Sequence, residues 1–256
     1  MPTAAEEILA KAPMPTALSS REIRETIGAG VVRRSLFSAR TTEQDYLERL
    51  QELLAAFARG ESNKADFTKA AQDALAAMGY DPENEDAPLN SMRDRGSEAR
   101  LALILKTQVG QARSVARKAA SAASPDFEFD FPGWELRRAG DRRAPRDWAA
   151  RWQAAGEAVG WEGAARGALV ALKGSPIWAA IGRGDGGYSD TLGNPYPPFA
   201  FNSAMDWFDA DRAACARLGL VDGDASPPSD DELGKDLPDD ERAALLAWAE
   251  AEDLSE

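Results

Sequence analysis

The eleven-residue stretch Gly193–Ser203 constrains the fold of this chain more than any other segment. It contains three prolines and three aromatic residues. Proline fixes φ, removes a backbone donor and pushes the preceding residue toward extended conformations, so such a run cannot form a regular helix or a central strand. The stretch, called the proline loop below, is therefore predicted to be stiff and nearly extended from Asn194 to Phe199.

The aromatic rings of the proline loop are presented at a fixed spacing, because a stiff backbone has little conformational entropy to lose. Two interpretations stay open: the rings dock on the core of their own domain, or they grip a partner protein. The candidate partner contacts are Asn194, Pro195, Tyr196, Pro197, Pro198, Phe199 and Phe201, with Arg146, Trp148 and Trp152 from an earlier Arg- and Trp-rich stretch.

Composition narrows the function classes. With 256 residues and 44% apolar composition, the chain can bury a sizeable core in one large domain or two smaller ones. It has no histidine, which removes the commonest general base and imidazole metal ligation, and its single cysteine excludes an internal disulfide. No signal peptide or membrane span is evident. We therefore expect a non-enzymatic protein of a cytoplasm, without a cofactor or a membrane partner.

Charge is distributed unevenly along the chain. Of the formal net charge of −13, residues 201–256 account for −12, whereas residues 92–151 hold 13 basic and 8 acidic side chains. Two interpretations fit this pattern: solvated helix faces with a solubilising tail, or a protein that meets a polyanion such as nucleic acid. Under the second, the predicted nucleic-acid contacts are Arg113, Arg117, Lys118, Arg142 and Arg143.

Apolar periodicity predicts three helices in the first half of the chain. Apolar residues recur at helical spacing over Tyr46–Phe57. A second helix is predicted to begin after Asn63 and to end before Gly79, so that the two form a helical hairpin. Ser97 is the predicted cap of a longer third helix, which is apolar at its start and cationic toward its end.

The second half of the chain changes period. Three phenylalanines alternate with acidic residues over 127–131, and Trp134–Arg138 follows, so strands are predicted in both places. Trp148 and Trp152 lie four residues apart and are expected on one face of a helix. Either this face is wedged into a core, or its rings and the neighbouring arginines form a surface for phosphates and bases.

Together these segments predict an α+β fold that is predominantly helical. An N-terminal arm (1–34), extended or with a short helix around Ala4–Lys11, precedes a helical region (35–125) made of the hairpin and the long helix. A small mixed α/β unit (126–220) carries the proline loop, and an acidic linker with a terminal helix (221–256) ends the chain.

Asp206, Asp209 and Asp211 raise the possibility of a metal site. Their spacing lacks the glycine and the distal glutamate of a calcium loop, and Asp209 precedes an alanine-rich run, as a helix N-cap does. The alternative function built on these residues is a metal-dependent nuclease or transferase that uses Mg²⁺, with Lys173 as an electrostatic group.

Six segments follow one another in a distinctive order: Ser35–Thr42, Arg100–Gln108, Phe131–Leu136, Arg143–Trp148, Lys173–Trp178 and Asn194–Ser203. Together they resemble the head morphogenesis proteins of tailed phages, with the closest likeness to minor head proteins related to protein F of phage Mu. The resemblance covers roughly residues 30–220.

The resemblance implies a minor structural protein of the virion head. Such a protein is made in the bacterial host cytoplasm, joins the portal or the major capsid protein during procapsid assembly and DNA packaging, and in related proteins contacts double-stranded DNA. A DNA-binding accessory protein is a further alternative, for which binding should weaken steeply with salt.

This chain departs from the better-known members of that family. They often end their domain with a histidine-containing segment and a Gly-Cys-Arg-Cys-like signature after a Pro-Pro pair. Here there is no histidine, and Asn202–Met205 follows the pair. A metal or redox role is therefore not carried over to this chain.

Overall fold

The computed structural model describes residues 2–27, 29–83, 87–141 and 145–227. Its helices are α1 (Ala4–Leu9), α2 (Ser20–Thr26), α3 (Ala29–Arg34), α4 (Gln44–Ala58), α5 (Lys64–Ala77), α6 (Glu98–Ala122), α7 (Pro125–Asp130), α8 (Trp148–Ala158), α9 (Ile177–Arg183) and α10 (Arg212–Arg217), with a 3-10 helix at Glu162–Arg166. Its strands are β1 (Ala12–Pro13), β2 (Ser35–Leu36), β3 (Gly133–Arg138), β4 (Val170–Leu172) and β5 (Met205–Ala210). The predicted, predominantly helical α+β fold is confirmed.

Helices α4 and α5 form the predicted hairpin, and local chemistry sets their ends. At the start of α5, Asn63 Oδ1 accepts hydrogen bonds from the backbone N–H groups of Ala65 (2.8 Å) and Asp66 (3.0 Å). After α4, Gly60 has a φ of +78°, which a residue with a side chain rarely adopts. Helix α6 packs against both and begins at its predicted cap, where Ser97 Oγ accepts a first-turn N–H.

The start of the chain contains a short helix, one of the two alternatives expected there, and this helix packs against the hairpin. Ala5 and Ile8 are buried where α1 meets α4 and α6. Gln51 of α4 donates from Nε2 to the carbonyl oxygens of Ile8 (2.8 Å) and Lys11 (2.6 Å), so it holds the C-terminal end of α1. Helix α1 thus supplies apolar side chains to the same core as the hairpin.

The first core is called the helical core. Its buried residues come from α1, α4, α5 and α6, with one from β2. They are Ala5, Ile8, Leu36, Tyr46, Leu50, Leu54, Ala55, Phe67, Ala71, Leu75, Leu101, Leu105, Val109 and Ala112.

The second half contains a three-stranded antiparallel sheet in the order β4-β3-β5. Trp134 of the central strand lies opposite Ala171 on one side and Asp209 on the other, and Leu136 lies opposite Trp207. The predicted strand at 134–138 is therefore confirmed. The strands β1 and β2 form a separate two-residue parallel pair.

The three phenylalanines before this sheet were predicted as a strand, and that prediction is wrong. They lie in and just after α7, where Pro125 occupies the first turn together with Asp126 and Glu128. Proline and acidic residues both favour a helix start, and here they outweigh the alternation of apolar and acidic residues. The rings of Phe127 and Phe131 meet one helical turn apart, with centroids 5.0 Å apart.

The second core is called the tryptophan core, because Trp134, Trp148, Trp152, Trp178 and Trp207 are all buried in it. The Trp134 and Trp207 rings stack with centroids 3.8 Å apart and an interplanar angle of 11°. The other buried members are Leu136, Ala155, Ala164, Ala171, Ile177, Ala180, Ile181, Phe199, Ala200 and Met205, and Trp161 packs against them.

Helix α6 links the two cores. Its first half lies in the helical core, and near its end Arg117 donates to the backbone oxygen of Trp207 (2.8 Å) and to Asp206 Oδ1 (2.6 Å) in β5. One turn later, Ser121 Oγ accepts a hydrogen bond of 2.7 Å from the buried Lys173 Nζ. A single rigid element therefore sets the position of the tryptophan core relative to the hairpin.

Within the described ranges, no helix is both long enough and apolar enough to cross a membrane. The predicted acidic terminal helix, at residues 237–254, lies outside the described residues.

Candidate functional site

The proline loop docks on its own domain. Phe199 is fully buried, and its ring lies 6.0 Å from that of Trp207 and 6.4 Å from that of Trp178, measured between centroids. Phe199 adopts a φ of +57°, and the peptide between Pro197 and Pro198 is cis. Of the two interpretations of this loop, docking on its own core is therefore the one that applies to Phe199.

Burial therefore corrects part of the predicted partner surface. Asn194, Pro197 and Phe199 are buried, so these side chains are not presented to a partner. The Asn194 side chain serves the loop itself, since its Oδ1 accepts the N–H of Tyr196 at 3.1 Å. Four predicted residues keep part of their surface exposed: Pro195, Tyr196, Pro198 and Phe201.

The predicted Arg and Trp surface does not form as a whole, because its tryptophans are buried while Arg146 keeps part of its surface exposed. Trp148 and Trp152 share one face of α8, as expected, but they are 5% and 1% exposed and so belong to the tryptophan core. The prediction that they contact a partner is corrected, because that face packs on α9 and the proline loop. Arg146 remains half-buried and donates to the backbone oxygen of Phe201 at 3.0 Å.

Arg146 and Arg151 converge on one carboxylate. Both bind Asp190, at 2.8 Å for Arg146 Nε and 2.8 Å for Arg151 Nη1. Burial by itself raises the pKa of Asp190, but hydrogen bonds and charge from the two arginines outweigh it and hold that pKa below its ordinary value. The guanidinium of Arg151 also lies over the rings of Trp148 and Tyr188. These arginines thus fasten α8 to the segment that precedes the proline loop.

The predicted nucleic-acid contacts do not form one described patch. Arg113 is exposed and Lys118 is half-buried on α6, whereas Arg117 is bound to β5 by the hydrogen bonds described above. Arg142 and Arg143 lie outside the described residues. Arg113 and Lys118 remain as cations of α6 that have no described acidic partner.

The three aspartates each have a separate structural partner. Asp206 binds Arg117, Asp209 Oδ1 accepts the indole N–H of Trp134 at 3.1 Å, and Asp211 Oδ1 accepts the backbone N–H of Ala214 at 2.6 Å. Within the described ranges, no three acidic or cysteine side chains are grouped as a metal site would require. The three aspartates thus make separate structural contacts, and the predicted electrostatic group Lys173 lies close to one of them, with its Nζ 3.4 Å from Asp209 Oδ1.

The cap of α10 also differs from the prediction. Asp209 was expected to cap the alanine-rich run, but it lies in β5, and Asp211 is the N-cap. The strand continues to Ala210 because Asp209 pairs with Trp134 across the sheet. This moves the helix start two residues along the chain.

A feature that the sequence did not single out is the buried guanidinium of Arg100, which is 7% exposed. Its Nη2 donates to Ser38 Oγ at 2.7 Å and to the backbone oxygen of Ala39. Its Nη1 donates to the backbone oxygens of Met92 (3.4 Å) and Arg93 (3.3 Å). The available signal was its position in the apolar stripe of α6, beside Leu101 and four residues before Ile104.

Comparison with known proteins adds no family assignment. No protein-family model, no curated protein and no solved structure matches the chain.

Proposed function

We propose that this chain is a minor structural protein of a tailed-phage head. It is made in the bacterial host cytoplasm and binds the portal or the major capsid protein during procapsid assembly, with double-stranded DNA as a further contact. The observation that carries the proposal is the convergence of the six segments that resemble head morphogenesis proteins. Segments as far apart in the sequence as Ser35–Thr42 and Asn194–Ser203 contribute walls to the same cavity.

The first contacts of this convergence lie around α6. Arg100, which opens the second segment, donates to Ser38 and Ala39 in the first. The second segment also shares a cavity with the sixth, since Thr107 and Asn194 line the same walls. The three segments therefore form one interlocked group.

The remaining contacts lie in the tryptophan core. Trp134 of the third segment meets Trp178 of the fifth edge to face, with ring centroids 6.1 Å apart. Trp178 in turn lies 6.4 Å from Phe199 of the sixth segment, and Arg146 of the fourth donates to the backbone oxygen of Phe201 in the sixth.

The proposal favours binding over catalysis. The three aspartates that would serve a metal-dependent enzyme are each held by a separate arginine, indole or helix N-terminus. The half-buried Phe201 lines a cavity with Arg100 of α6, and the half-buried Pro198 lines another with Lys106 of α6, so this face mixes apolar and polar side chains. Such a surface is typical of protein interfaces, whose rims are polar and whose centres are aromatic.

The test is quantitative mass spectrometry of density-purified particles from the source strain, with procapsids and mature heads measured separately. A low, fixed ratio of this protein to the major capsid protein is the expected result. Absence from both kinds of particle, with the protein abundant in the lysate, contradicts the proposal. A clean gene deletion that leaves normal heads and normal infectivity contradicts it as well.

The DNA contact is tested separately. The logarithm of the affinity of the purified chain for double-stranded DNA should fall linearly with the logarithm of the salt concentration, because phosphate contacts release counterions. Charge reversal at Arg113 and Lys118 should remove most of that binding. Arg21→Glu together with Arg49→Glu, two exposed arginines of other helices, is the matched control. Equal losses in both double variants contradict a specific contact by α6.

A further inference from the structure

A cavity of about 130 Å³ lies between α6, the chain around residues 37–39 and the proline loop. One wall is a single face of α6, made by residues at helical spacing. These residues are Arg100, Leu103, Ile104, Thr107, Gln108 and Gln111. The wall is cationic at one end, aliphatic in the middle and amide-bearing at the other end.

The cationic end holds a buried charge without a neighbouring anion in contact with it. The four hydrogen bonds of the Arg100 guanidinium all go to neutral oxygens, of Ser38, Ala39, Met92 and Arg93. Its Nε–H has no acceptor among the described residues, and none of them offers it an ion pair. A buried cation normally has an acidic partner, because neutral oxygens replace only part of its hydration.

The electrostatics around Arg100 agree with this geometry. Burial, the largest cause, lowers the pKa of Arg100 below its ordinary value. Asp94 favours the charged form, but its carboxylate is already occupied by the backbone N–H groups of Asn90 (3.0 Å) and Gly96 (2.9 Å). A bound anion would remove the cost that burial imposes on the guanidinium.

The amide end is oriented by Lys11. Lys11 Nζ donates to Gln108 Oε1 at 2.5 Å. An ammonium group has only donors, so the amide oxygen must face Lys11 and the amide NH₂ group must point the other way. Gln108 lines the cavity, and its Nε2 has no acceptor among the described residues. The cavity therefore offers a second unused donor, with Leu103 and Ile104 between the two.

The size of the cavity limits its occupant. Pockets for drug-sized ligands measure roughly 300–1,000 Å³, so this one suits a single side chain or a molecule of similar size. Arg100 and Gln108 are separated by eight residues, or about 12 Å along the helix axis, and their long side chains shorten the gap. An occupant must place an anion at Arg100, an apolar stem on Leu103 and Ile104, and an acceptor near Gln108.

We propose that this cavity binds one carboxylate on a short apolar stem, through the Nε–H of Arg100 and with the stem against Leu103 and Ile104. A glutamate or aspartate side chain of a bound peptide meets this description, and its backbone carbonyl supplies the acceptor for Gln108. A free short-chain acid meets it in part. The site does not depend on the proposed role in phage heads, because its chemistry is set by these side chains alone.

The test is an NMR titration of the full chain carrying ¹³C-labelled Leu and Ile methyl groups. The probes are butyrate against butyramide, and the blocked tripeptide Leu-Glu-Leu against Leu-Gln-Leu. We expect saturable shifts of the Leu103 and Ile104 methyl signals with the acidic probes, and affinity lower by about tenfold or more for the neutral ones, which cannot bond to the charged donor as an anion does.

Two variants locate the site without disturbing Arg100, whose hydrogen bonds hold two loop segments. Leu103→Trp should fill the cavity and abolish the shifts at Ile104, whereas Leu89→Trp, at a residue that is 61% exposed, should not. Gln108→Leu should weaken binding of the acidic tripeptide more than it weakens binding of butyrate.

The pattern of binding either identifies the source of the bound carboxylate or rejects the site. Binding of the acidic tripeptide alone, or more tightly than butyrate, assigns the site to a protein segment, and binding of butyrate alone assigns it to a free acid. The proposal is overturned if neither acidic probe shifts these methyl signals, if the neutral probes bind equally well, or if Leu103→Trp binds unchanged. These outcomes are separable from the particle experiment, since they require only the purified chain.

Discussion

The helical core and the tryptophan core differ in the kind of polar group that is buried in or beside them. Beside the helical core, the charged guanidinium of Arg100 is surrounded by oxygens from two loop segments. In the tryptophan core, the indole N–H groups of Trp148, Trp152 and Trp207 have no acceptor among the described residues. A full charge requires a cage of oxygens, whereas a weakly polar indole N–H is tolerated where its neighbours are aromatic faces.

The two cores also differ in what fills them. Aliphatic side chains dominate the helical core, and rings in stacked or edge-to-face contact dominate the other. Aliphatic packing is adaptable, while ring geometry is specific, since aromatic pairs contribute beyond the area they bury. We therefore expect substitutions in the tryptophan core to be the more costly, and the following experiments test that expectation.

The largest effect should come from Trp207→Ala. Its ring stacks on Trp134 and meets Trp178, Tyr196 and Phe199, so its removal leaves a cavity and also ends four ring contacts. We expect a loss of about 5 kcal/mol in the free energy of unfolding, at the upper end for a buried aromatic residue. Urea unfolding followed by circular dichroism measures it.

Leu54→Ala in the helical core is the matched comparison, because Leu54 is likewise fully buried. Its expected loss is about 3 kcal/mol. If Leu54→Ala costs as much as Trp207→Ala or more, the contrast between the two cores is wrong.

The second effect concerns hydrogen bonds inside the tryptophan core. Trp134→Phe removes a donor to the carboxylate of Asp209, whereas Trp152→Phe removes an N–H that has no described acceptor. Both changes remove similar volume, so their difference isolates the hydrogen bond. We expect Trp134→Phe to cost about 1–3 kcal/mol more in the same unfolding assay. Equal costs would mean that the indole donors in this core contribute alike.

The third effect is a pH dependence specific to the helical side. Burial lowers the pKa of Lys11 from its ordinary 10.5 to about 8 in the folded chain. Between these values the unfolded chain binds more protons than the folded one, so stability should rise as pH increases from about 8 toward 10. Lys11 keeps some contact with water, so the expected rise is about 1–2 kcal/mol.

The measurement is urea unfolding at pH 7.5 and 9.5, with Lys11→Met as the control that should abolish the rise. Burial raises the pKa of Tyr46 to about 12, which opposes this trend only above the ordinary tyrosine value of 10.0. Burial also raises the pKa of Cys215 above its ordinary 9.0, which opposes the rise near the upper end of this range, so the difference between the native chain and Lys11→Met is what reports on Lys11. A rise that persists in Lys11→Met would assign it to another group.

The smallest effect should come from the link between the cores. Arg117→Met removes the hydrogen bonds from α6 to Trp207 and Asp206 while keeping an unbranched apolar stem. Because this pair is partly exposed, the expected loss is about 1 kcal/mol. Hydrogen exchange should become faster in β5 and stay unchanged in α4, and acceleration in both would show that the two cores unfold as one unit.

Local signals in the sequence were sufficient for much of the helical half. Asn63 and Ser97 cap α5 and α6 as predicted, since capping involves backbone groups within three residues. The same kind of signal failed at residues 125–131 because two local patterns competed there. Proline and acidic residues at a helix start outweighed an alternation that is typical of a strand.

The burial of the proline loop and the positions of the aspartates depend on residues outside their own segments. The stiffness of the loop follows from its prolines, but the burial of Phe199 depends on Trp178 and Trp207, which are distant along the chain or placed by the sheet. In the same way, Asp209 belongs to a strand because Trp134 lies opposite it.

The sequence alone determined the helical hairpin, the long third helix, the mixed second half and the absence of histidine chemistry, because these follow from periodicity, caps and composition. Only the tertiary structure decided which rings of the proline loop are buried, that Arg100 is enclosed by neutral oxygens, and that a small cavity adjoins it. Those features arise where side chains from separate segments meet, and the periodicity of one segment holds no information about the surface that will cover it.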